Sequence, residues 1–238
     1  MRAVIFDFDL TLADSSAGII ECINFALTRL GFSHVSSERA KKTIGLSLPE
    51  TFSALTDVTD KALASGFSSY FVQHADQVME PLTYLYESVP QTVEALRDLG
   101  IRLGIVSTKF RYRIENLLKP HGLSDQFDVI VGGEDVTAPK PDPSGLLQAL
   151  ARLDTRSSEA VYVGDHIVDA EAARRAGIPF IAVLSGTCRQ RDFRSYPVRA
   201  FIDKVDQLMH VPGLAEGTIN TDGNEPGDLA NPRSPRKP

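Results

Sequence analysis

The chain has little of what marks a secreted, membrane-spanning or nucleic-acid-binding protein. It contains two cysteines, Cys22 and Cys188, and no tryptophan. Two unclustered cysteines predict neither a zinc site nor a disulfide framework, and we expect free thiols. Acidic residues outnumber basic ones and give a net charge of −6. The composition therefore predicts no binding to nucleic acid or to an anionic membrane, and any anionic ligand must be held by local charges.

No apolar run approaches the roughly 18 residues that cross a bilayer. The N-terminal sequence also lacks the basic region and the long apolar region of a secretion signal. We therefore expect a cytoplasmic protein. The chain has 238 residues, of which 42% are hydrophobic, and this is enough for one sizeable core and a smaller second one.

Short apolar runs alternate along the chain with stretches of helical period. The predicted strands are 4–6, 101–106, 129–131, 161–163 and 180–183. Between them, residues 93–99 and 144–153 carry apolar stripes at helical spacing, which are typical of helices that cover a sheet. This alternation predicts an α/β fold with a doubly wound parallel sheet.

The segment 14–86 interrupts this alternation and shows only helical patterns. Its predicted helices are 19–30, 36–44, 49–56 and 60–79, and we expect no strand among them. The chain is therefore divided into a core of residues 1–13 and 87–210 and an inserted all-helical domain. Such an insertion overhangs the ligand crevice of an open α/β sheet and suits a lid. Residues 211–238 are rich in glycine, proline and charge, and we predict a disordered tail.

Polar side chains stand where four of the predicted strands end. They are Asp7 and Asp9, Ser107 and Thr108, Lys140, and Asp165 and Asp169. Because the carboxyl ends of parallel strands meet at one edge of a sheet, we expect these groups to come together. Carboxylate oxygens from Asp7 and Asp165 suit Mg²⁺, which usually takes only a few carboxylates. Ser107 and Lys140 would then hold the oxygens of a phosphoryl group.

The same segments resemble a known family. DFDLT at 7–11, Ser107 in VST, Lys140 in PKPDP and GDHIVD at 164–169 are similar, in order, interval and strand context, to the haloacid dehalogenase superfamily. The segments GDHIVDAEAARRAG and FDFDLTLADS are closest to its phosphoglycolate phosphatase-like branch. The resemblance covers 1–210. It implies a Rossmann-like three-layer core with a parallel sheet, and it identifies the inserted helices with the helical cap of that branch.

The resemblance also implies a role for each residue. Asp7 would attack phosphorus and form an aspartyl-phosphate that water later hydrolyses. Asp9 would protonate the leaving alcohol and then deprotonate that water. Ser107, the backbone amide of Thr108, and Lys140 would bind the transferring phosphoryl group and stabilise its charge.

The implied metal site contains four acids. Asp165 would hold Mg²⁺ together with Asp7 and with the backbone carbonyl of Asp9. Asp169 would bind a water on the metal or orient Lys140.

Asp9 also separates reaction types within the family. A dehalogenase expels halide and needs no proton, whereas an aspartate at this position matches phosphate ester hydrolysis. We therefore predict a Mg²⁺-dependent phosphatase for a small phosphorylated metabolite, with phosphoglycolate as the first choice, in a monomer or homodimer. The alternatives are a β-phosphoglucomutase-like phosphosugar mutase, a pyrophosphatase, and a non-catalytic protein that binds phosphorylated metabolites.

Other residues carry secondary expectations. Lys109 directly follows the hydroxyl pair and is expected to reach an anionic substrate. We expect the rest of the basic and aromatic run 109–113 to be a solvated face, and His166 to have a structural role. In the cap, residues 41–43 and 45–47 are candidates to project toward the site.

Leu10 is a departure from the family pattern, because most members of this branch carry glycine there. Only a positive φ would strongly demand glycine. A side chain at position 10 is therefore tolerable if the backbone stays in an ordinary region, and the departure concerns the turn and the entrance of the site more than the chemistry.

Overall fold

A six-stranded parallel sheet forms the centre of the protein. The computed structural model describes residues 1–214, and its strands are β1 (Ala3–Phe6), β2 (Ala13–Asp14), β3 (Tyr84–Leu85), β4 (Arg102–Val106), β5 (Val129–Val131), β6 (Ala160–Gly164), β7 (Phe180–Val183) and β8 (Val198–Ile202). The sheet has the order β5-β4-β1-β6-β7-β8, and each neighbouring pair is parallel. β2 and β3 pair separately as a short antiparallel ribbon.

Helices cover both faces of this sheet. They are α1 (Ser16–Arg29), α2 (Ser37–Lys41), α3 (Leu48–Thr56), α4 (Lys61–Val78), α5 (Val89–Asp98), α6 (Arg111–Leu118), α7 (Ser144–Arg152) and α8 (Ile167–Ala176). Val4 and Phe6 of β1 pack in one hydrophobic cluster with α5 and α6, and Ala3 and Ile5 pack in another with α7 and α8. Successive strand side chains point to opposite faces. The predicted three-layer α/β core with a parallel sheet is confirmed.

The helices α1 to α4 form a third hydrophobic cluster, and we call these four helices, with the residues that connect and directly follow them, the cap. Its fully buried side chains include Phe52 and Phe67. The start of α3 is fixed by a capping box, in which Ser47 and Glu50 each accept a hydrogen bond from the other's backbone N–H. A helix is present in each of the four segments where the sequence predicts one. The domain boundaries after residues 13 and 86 stay a prediction.

Three strands, β2, β3 and β8, are absent from the prediction. β3 lies inside the segment predicted to be free of strands, where Tyr84 and Leu85 pair with the end of the first loop. β8 is an edge strand whose sequence, VRAFI, mixes polar and apolar residues. A partly exposed edge strand does not need the continuous apolar run that identifies a buried one.

The end of the described chain packs against the core. Val211 and Leu214 are buried in the cluster that contains α5, so these first residues of the segment predicted as a tail contribute to the core. The rest of that segment, 215–238, lies outside the described residues. Within residues 1–214, no helix has the length and apolarity needed to cross a membrane. Cys22 and Cys188 are free thiols, as predicted.

Candidate active site

The loop after β1 turns sharply between two acids. The Asp7 N–H donates to the Val163 carbonyl over 2.8 Å and continues the pairing of β1 with β6. The chain then turns, and the N–H groups of residues 11–13 donate to the Phe8 carbonyl. Asp7 and Asp9 are 2% and 8% exposed. The first loop therefore buries two carboxylates at the carboxyl edge of the sheet.

A cluster of three buried carboxylates lies at this edge. Asp7, Asp165 and Asp169 each offer one oxygen, and the three oxygens lie within 4.8 Å of one another. Asp9 is not part of this cluster, but its charge is, after burial, among the causes that raise the pKa of Asp7. Lys140 Nζ lies 2.8 Å from Asp7 Oδ1 and 2.6 Å from Asp169 Oδ1. When all four groups are ionised, the cluster has a formal charge of −2.

Burial works against the negative charges of this cluster. It raises the pKa of Asp7 to about 6, although Lys140 opposes the shift. Burial, with Asp169 and Asp7, also raises the pKa of Asp165 well above its usual range. Burial opposes the charge of Lys140 as well, but the carboxylates of Asp169 and Asp7 outweigh it and raise the pKa of Lys140. The ammonium therefore stays charged, and further positive charge would stabilise the carboxylates.

The contacts of Asp7 fit a bound cation. Asp7 Oδ1 is buried and accepts no hydrogen bond, although Lys140 Nζ is close to it. Lys140 directs its hydrogen bonds to Asp169 Oδ1 and to the Tyr162 hydroxyl, at 2.6 and 3.1 Å. Hard divalent cations such as Mg²⁺ bind to carboxylate oxygens. The cluster offers such oxygens, one of them without a hydrogen bond, and its formal charge of −2 would be neutralised by the cation.

Two glycines let the backbone approach the acids closely. A Cβ at Gly186 would lie 1.9 Å from Asp165 Oδ2, and one at Gly164 would lie 2.6 Å from Asp169 Cγ. Neither position has space for a side chain. Thr11 joins the first loop to this group, because its hydroxyl donates to Asp165 Oδ1 over 3.3 Å.

Asp9 has a separate set of partners. Lys109 Nζ donates to Asp9 Oδ1 over 2.9 Å, and the Ser15 hydroxyl donates to the same oxygen. Lys109 Nζ also lies 5.8 Å from the centre of the Phe8 ring. The structure therefore gives Lys109 an acid as its partner, and its contact with a substrate stays a prediction.

A cavity of about 380 Å³ lies between this edge of the sheet and the cap. On the core side it is lined by Asp9, Ser107, Thr108, Lys109 and Lys140, among others. Asp7, Asp165 and Asp169 do not line it, and the ammonium of Lys140 joins the cavity wall to Asp7 and Asp169. The predicted phosphate-binding residues thus share one wall of a cavity.

The cap residues expected to project toward the site divide into two groups. Thr43 and residues 45–47 line the cavity, whereas Lys41 and Lys42 do not. Lys42 instead pairs with Glu38 on the surface of the cap. The cap therefore contributes no lysine to the cavity wall among the described residues.

Arg113 contradicts the prediction that the basic and aromatic run 109–113 is a solvated face. Its side chain is largely buried, and its guanidinium donates to Asp76 Oδ1 at 2.6 Å and to the Val72 carbonyl at 2.9 Å, both on α4. The Tyr112 hydroxyl donates to the same Asp76 oxygen. The prediction is wrong because the cap covers this face of α6. Nothing in the sequence of α6 indicates that contact.

Two further residues, Tyr162 and His166, lie beside the site. The hydroxyl of Tyr162 on β6 lies 3.0 Å from Asp169 Oδ1, next to Lys140. A signal for Tyr162 exists in the sequence, since a tyrosine in an otherwise aliphatic buried strand needs a partner for its hydroxyl. His166 caps α8, and its Nδ1 accepts from the Val168 N–H over 3.2 Å. This is the structural role expected for His166.

A family model matches most of the chain. The model of haloacid dehalogenase-like hydrolases covers residues 4–183. The chain belongs to the haloacid dehalogenase-like hydrolase family. The family resemblance read from DFDLT, Ser107, Lys140 and GDHIVD is therefore confirmed.

Individual members of the family are similar to this chain over nearly its whole described length. Pyrophosphatase PpaX of Bacillus velezensis is 31% identical over 214 residues, which are 90% of this chain and 97% of that protein. A Bacteroides fragilis protein assigned as a haloacid dehalogenase-like hydrolase has a solved structure with a TM-score of 0.85, 43% identity, and coverage of 87% of this chain and 100% of its own. A predicted phosphoglycolate phosphatase from Haemophilus somnus, at 20% identity, has a TM-score of 0.78, with 89% of this chain and 97% of its own covered. The last similarity shows the fold alone.

The glycine that most members of this branch carry in the first loop has a backbone reason. Leu10 has φ of +60°, in the left-handed region, so the condition under which a side chain is unstrained there is not met. Its side chain is 5% exposed and packs in the hydrophobic cluster of the cap. The Leu10 carbonyl also accepts from Ser185 Oγ over 2.5 Å. Burial and hydrogen bonding offset the backbone strain of this leucine.

Proposed function

We propose that this hydrolase is a Mg²⁺-dependent phosphatase that acts on a small phosphorylated metabolite. The observation that supports this most is the cluster around Asp7, in which a buried nucleophile candidate lies beside one ammonium and two more carboxylates with a net formal charge of −2. A dianionic phosphate can bind beside these acids only if positive charge is added. The second loop acid, Asp9, lies outside the cluster and lines the cavity.

The proposed reaction has two displacements at phosphorus. The Asp7 carboxylate forms a bond to phosphorus while the bond from phosphorus to the ester oxygen breaks, and Asp9 gives the leaving alcohol its proton. Asp9 then takes a proton from water, which attacks the aspartyl-phosphate and releases phosphate. Ser107, the Thr108 amide and Lys140 bind the phosphoryl oxygens and stabilise their charge.

Mg²⁺ would be held by Asp7 and Asp165, with the backbone carbonyl of Asp9. It would supply charge neutralisation at the phosphoryl oxygens. The contacts of Asp169 favour the second of its two predicted roles. One of its oxygens accepts from Lys140, and the other accepts from the His166 N–H over 3.1 Å. Asp169 then serves to orient Lys140.

The names of relatives support a phosphate-transferring enzyme and leave the substrate open. The Bacillus relative is a pyrophosphatase and the Haemophilus one a predicted phosphoglycolate phosphatase. We propose a phosphoric monoester as the substrate class. The cytoplasmic location, the state as monomer or homodimer and the division at residues 13 and 86 stay predictions.

Phosphate release from a panel of phosphoesters, with Mg²⁺ and with EDTA, tests this function. We expect hydrolysis of at least one ester with Mg²⁺ and a loss of activity with EDTA. Asp7→Asn is the matched variant, and removal of a nucleophile should lower kcat by about 10⁴-fold or more. No release from any ester, or an active Asp7→Asn variant, would contradict the proposal. Conversion of β-glucose 1-phosphate to the 6-phosphate without phosphate release would favour the mutase instead.

A further inference from the structure

The cap side of the cavity has an apolar wall. The cap contributes the side chains of Ile19, Ile23, Ile44, Leu46, Leu48, Phe71 and Met79 to it. The phosphate-binding residues Ser107 and Lys140 lie on the core side. The part of a substrate beyond its phosphate therefore faces the cap. The volume of about 380 Å³ is within the range of small-molecule sites.

Every cationic side chain of the described residues that lines the cavity already has a carboxylate partner. Three line the cavity within residues 1–214: Lys109, Arg113 and Lys140. Lys109 pairs with Asp9 at 2.9 Å, Arg113 with Asp76 at 2.6 Å, and Lys140 with Asp7 and Asp169 at 2.8 and 2.6 Å. Lys140 belongs to the phosphate end. No unpaired cation of the described chain therefore faces the leaving group.

The hydroxyl groups of the cap offer acceptors to this space. Thr43 and Ser68 donate to carbonyl oxygens of their own helical segments at 2.8 Å, and Thr51 donates to the Thr43 carbonyl at 3.5 Å. Ser47 donates to the Glu50 carboxylate at 2.6 Å. In the structure, the protons of these hydroxyls are therefore directed to protein acceptors, and their lone pairs face the ligand space. In this arrangement they suit a hydroxyl or amide of a ligand, whereas a carboxylate or phosphate would have to break one of these hydrogen bonds to gain a donor.

The start of α3 is another feature of the cap that could attract an anion. The N-terminus of a helix favours negative charge. Here the Glu50 carboxylate already accepts the Ser47 N–H over 3.0 Å. This carboxylate occupies the favoured position and would repel a second anion.

We propose that the substrate is the phosphate monoester of an uncharged alcohol with an apolar portion, and that leaving groups with a carboxylate or a second phosphate are disfavoured. This rests on the proposed phosphatase function and names its substrate class. An anionic group moved from water into this space would lose hydration without gaining an unpaired cation among the described residues. An uncharged alcohol would bury its apolar part against the cap and donate any further hydroxyl to Thr43, Thr51 or Ser68.

A matched pair of esters tests the charge of the leaving group. Phosphoglycolate and the phosphate ester of glycolamide are similar in size and differ in one negative charge. With Mg²⁺ and wild-type protein, we expect kcat/KM for the amide to exceed that for phosphoglycolate by about tenfold or more, and pentyl phosphate to exceed both. An equal or higher kcat/KM for phosphoglycolate or pyrophosphate would overturn the proposal while supporting the phosphatase function. Hydrolysis of none of these esters, nor of p-nitrophenyl phosphate, would overturn both.

A charge added to the cap tests the same point from the side of the protein. Leu46 lines the cavity but is only half-buried, so a polar replacement should fold. We expect Leu46→Lys to raise the ratio of kcat/KM for phosphoglycolate over the glycolamide ester by about tenfold. Leu46→Gln, of similar length and without charge, should leave the ratio near the wild-type value. The same ratio in both variants and wild type would overturn the proposal.

Discussion

Lys109 Nζ lies 2.9 Å from Asp9 Oδ1, and the side chain of Lys109 is 3% exposed. Asp9, the residue proposed to transfer protons, is thus held by the buried ammonium of Lys109, which directly follows Ser107 and Thr108 in the chain. The Ser15 hydroxyl donates to the same oxygen and fixes the carboxylate from a second direction. From these contacts we predict that Lys109 is a positioning residue for Asp9. The sequence alone predicts that Lys109 contacts the substrate directly. Contact with substrate and positioning of Asp9 predict different kinetics.

Replacement of Lys109 by methionine should lower kcat by about 10- to 100-fold and change KM little, because the acid–base group loses its orientation. The free energy of unfolding should fall by about 3 kcal/mol, since removal of one partner leaves a buried charge unpaired. Steady-state kinetics and urea denaturation check both. Lys109→Arg keeps the charge and should recover part of kcat. A large rise in KM at unchanged kcat would instead support direct contact of Lys109 with substrate.

Replacement of Tyr162 by phenylalanine removes an acceptor of Lys140 and a neighbour of Asp169. We expect kcat/KM to fall by about tenfold and the free energy of unfolding by about 1 kcal/mol, the usual contribution of one hydrogen bond. Tyr70→Phe, a change of the same kind outside the cavity, is the control. Equal activity of the Tyr162 and Tyr70 variants would show that the hydroxyl of Tyr162 does not position Lys140.

The sequence predicts the part of the fold that depends on local pattern. Each of the five predicted strands is an apolar run, and each is present in the sheet. The acids, hydroxyls and lysine at their ends share one edge because the strands are parallel. β8 escapes prediction because an edge strand needs no continuous apolar run. The local pattern therefore predicts the location of the site but not which side chains pair with each other inside it.

Those pairs join residues that are distant in the chain. Lys109 and Asp9 are 100 positions apart, and Arg113 and Asp76 are 37 apart. No local signal can match a lysine to one acid among several, since the choice depends on how the loops and the cap meet. The φ of Leu10 has no local signal in the sequence either. It is set by a tight turn in which the N–H groups of residues 11–13 donate to the Phe8 carbonyl.

The strain at Leu10 predicts an unusual order of stability. Leu10→Ala should lower the free energy of unfolding by about 3 kcal/mol, because it leaves a cavity in the cap cluster and keeps a side chain at positive φ. Leu10→Gly loses the same packing but relieves about 1 kcal/mol of backbone strain. We therefore expect glycine to be the more stable of the two and wild type to be the most stable. Urea denaturation of the three proteins measures this, and an alanine variant more stable than the glycine variant would contradict the strained conformation.

The raised pKa of Asp7 makes Mg²⁺ binding depend on pH. Below about 6 the Asp7 carboxyl holds a proton in the metal-free protein, and Mg²⁺ must displace it. Asp165, whose pKa burial also raises, must lose its proton too, so the affinity for Mg²⁺ should weaken by about tenfold or more for each pH unit below 6. Titration calorimetry at pH 5, 6 and 7 measures this. An affinity that does not change between pH 5 and 7 would mean that Asp7 is already ionised without metal.

The same shift affects the stability of the metal-free protein. Between the ordinary Asp7 pKa of 3.8 and the raised value of about 6, the folded state binds more protons than the unfolded state, so the free energy of unfolding falls as pH rises. Two pKa units correspond to about 3 kcal/mol. Asp7→Asn carries no titrating group there, so in EDTA it should gain stability relative to wild type by up to that amount between pH 4 and pH 7. Saturating Mg²⁺ should reduce this gain, because the metal stabilises the ionised Asp7 of the wild-type protein. A difference between wild type and Asp7→Asn that is constant with pH would show that burial does not hold the proton on Asp7.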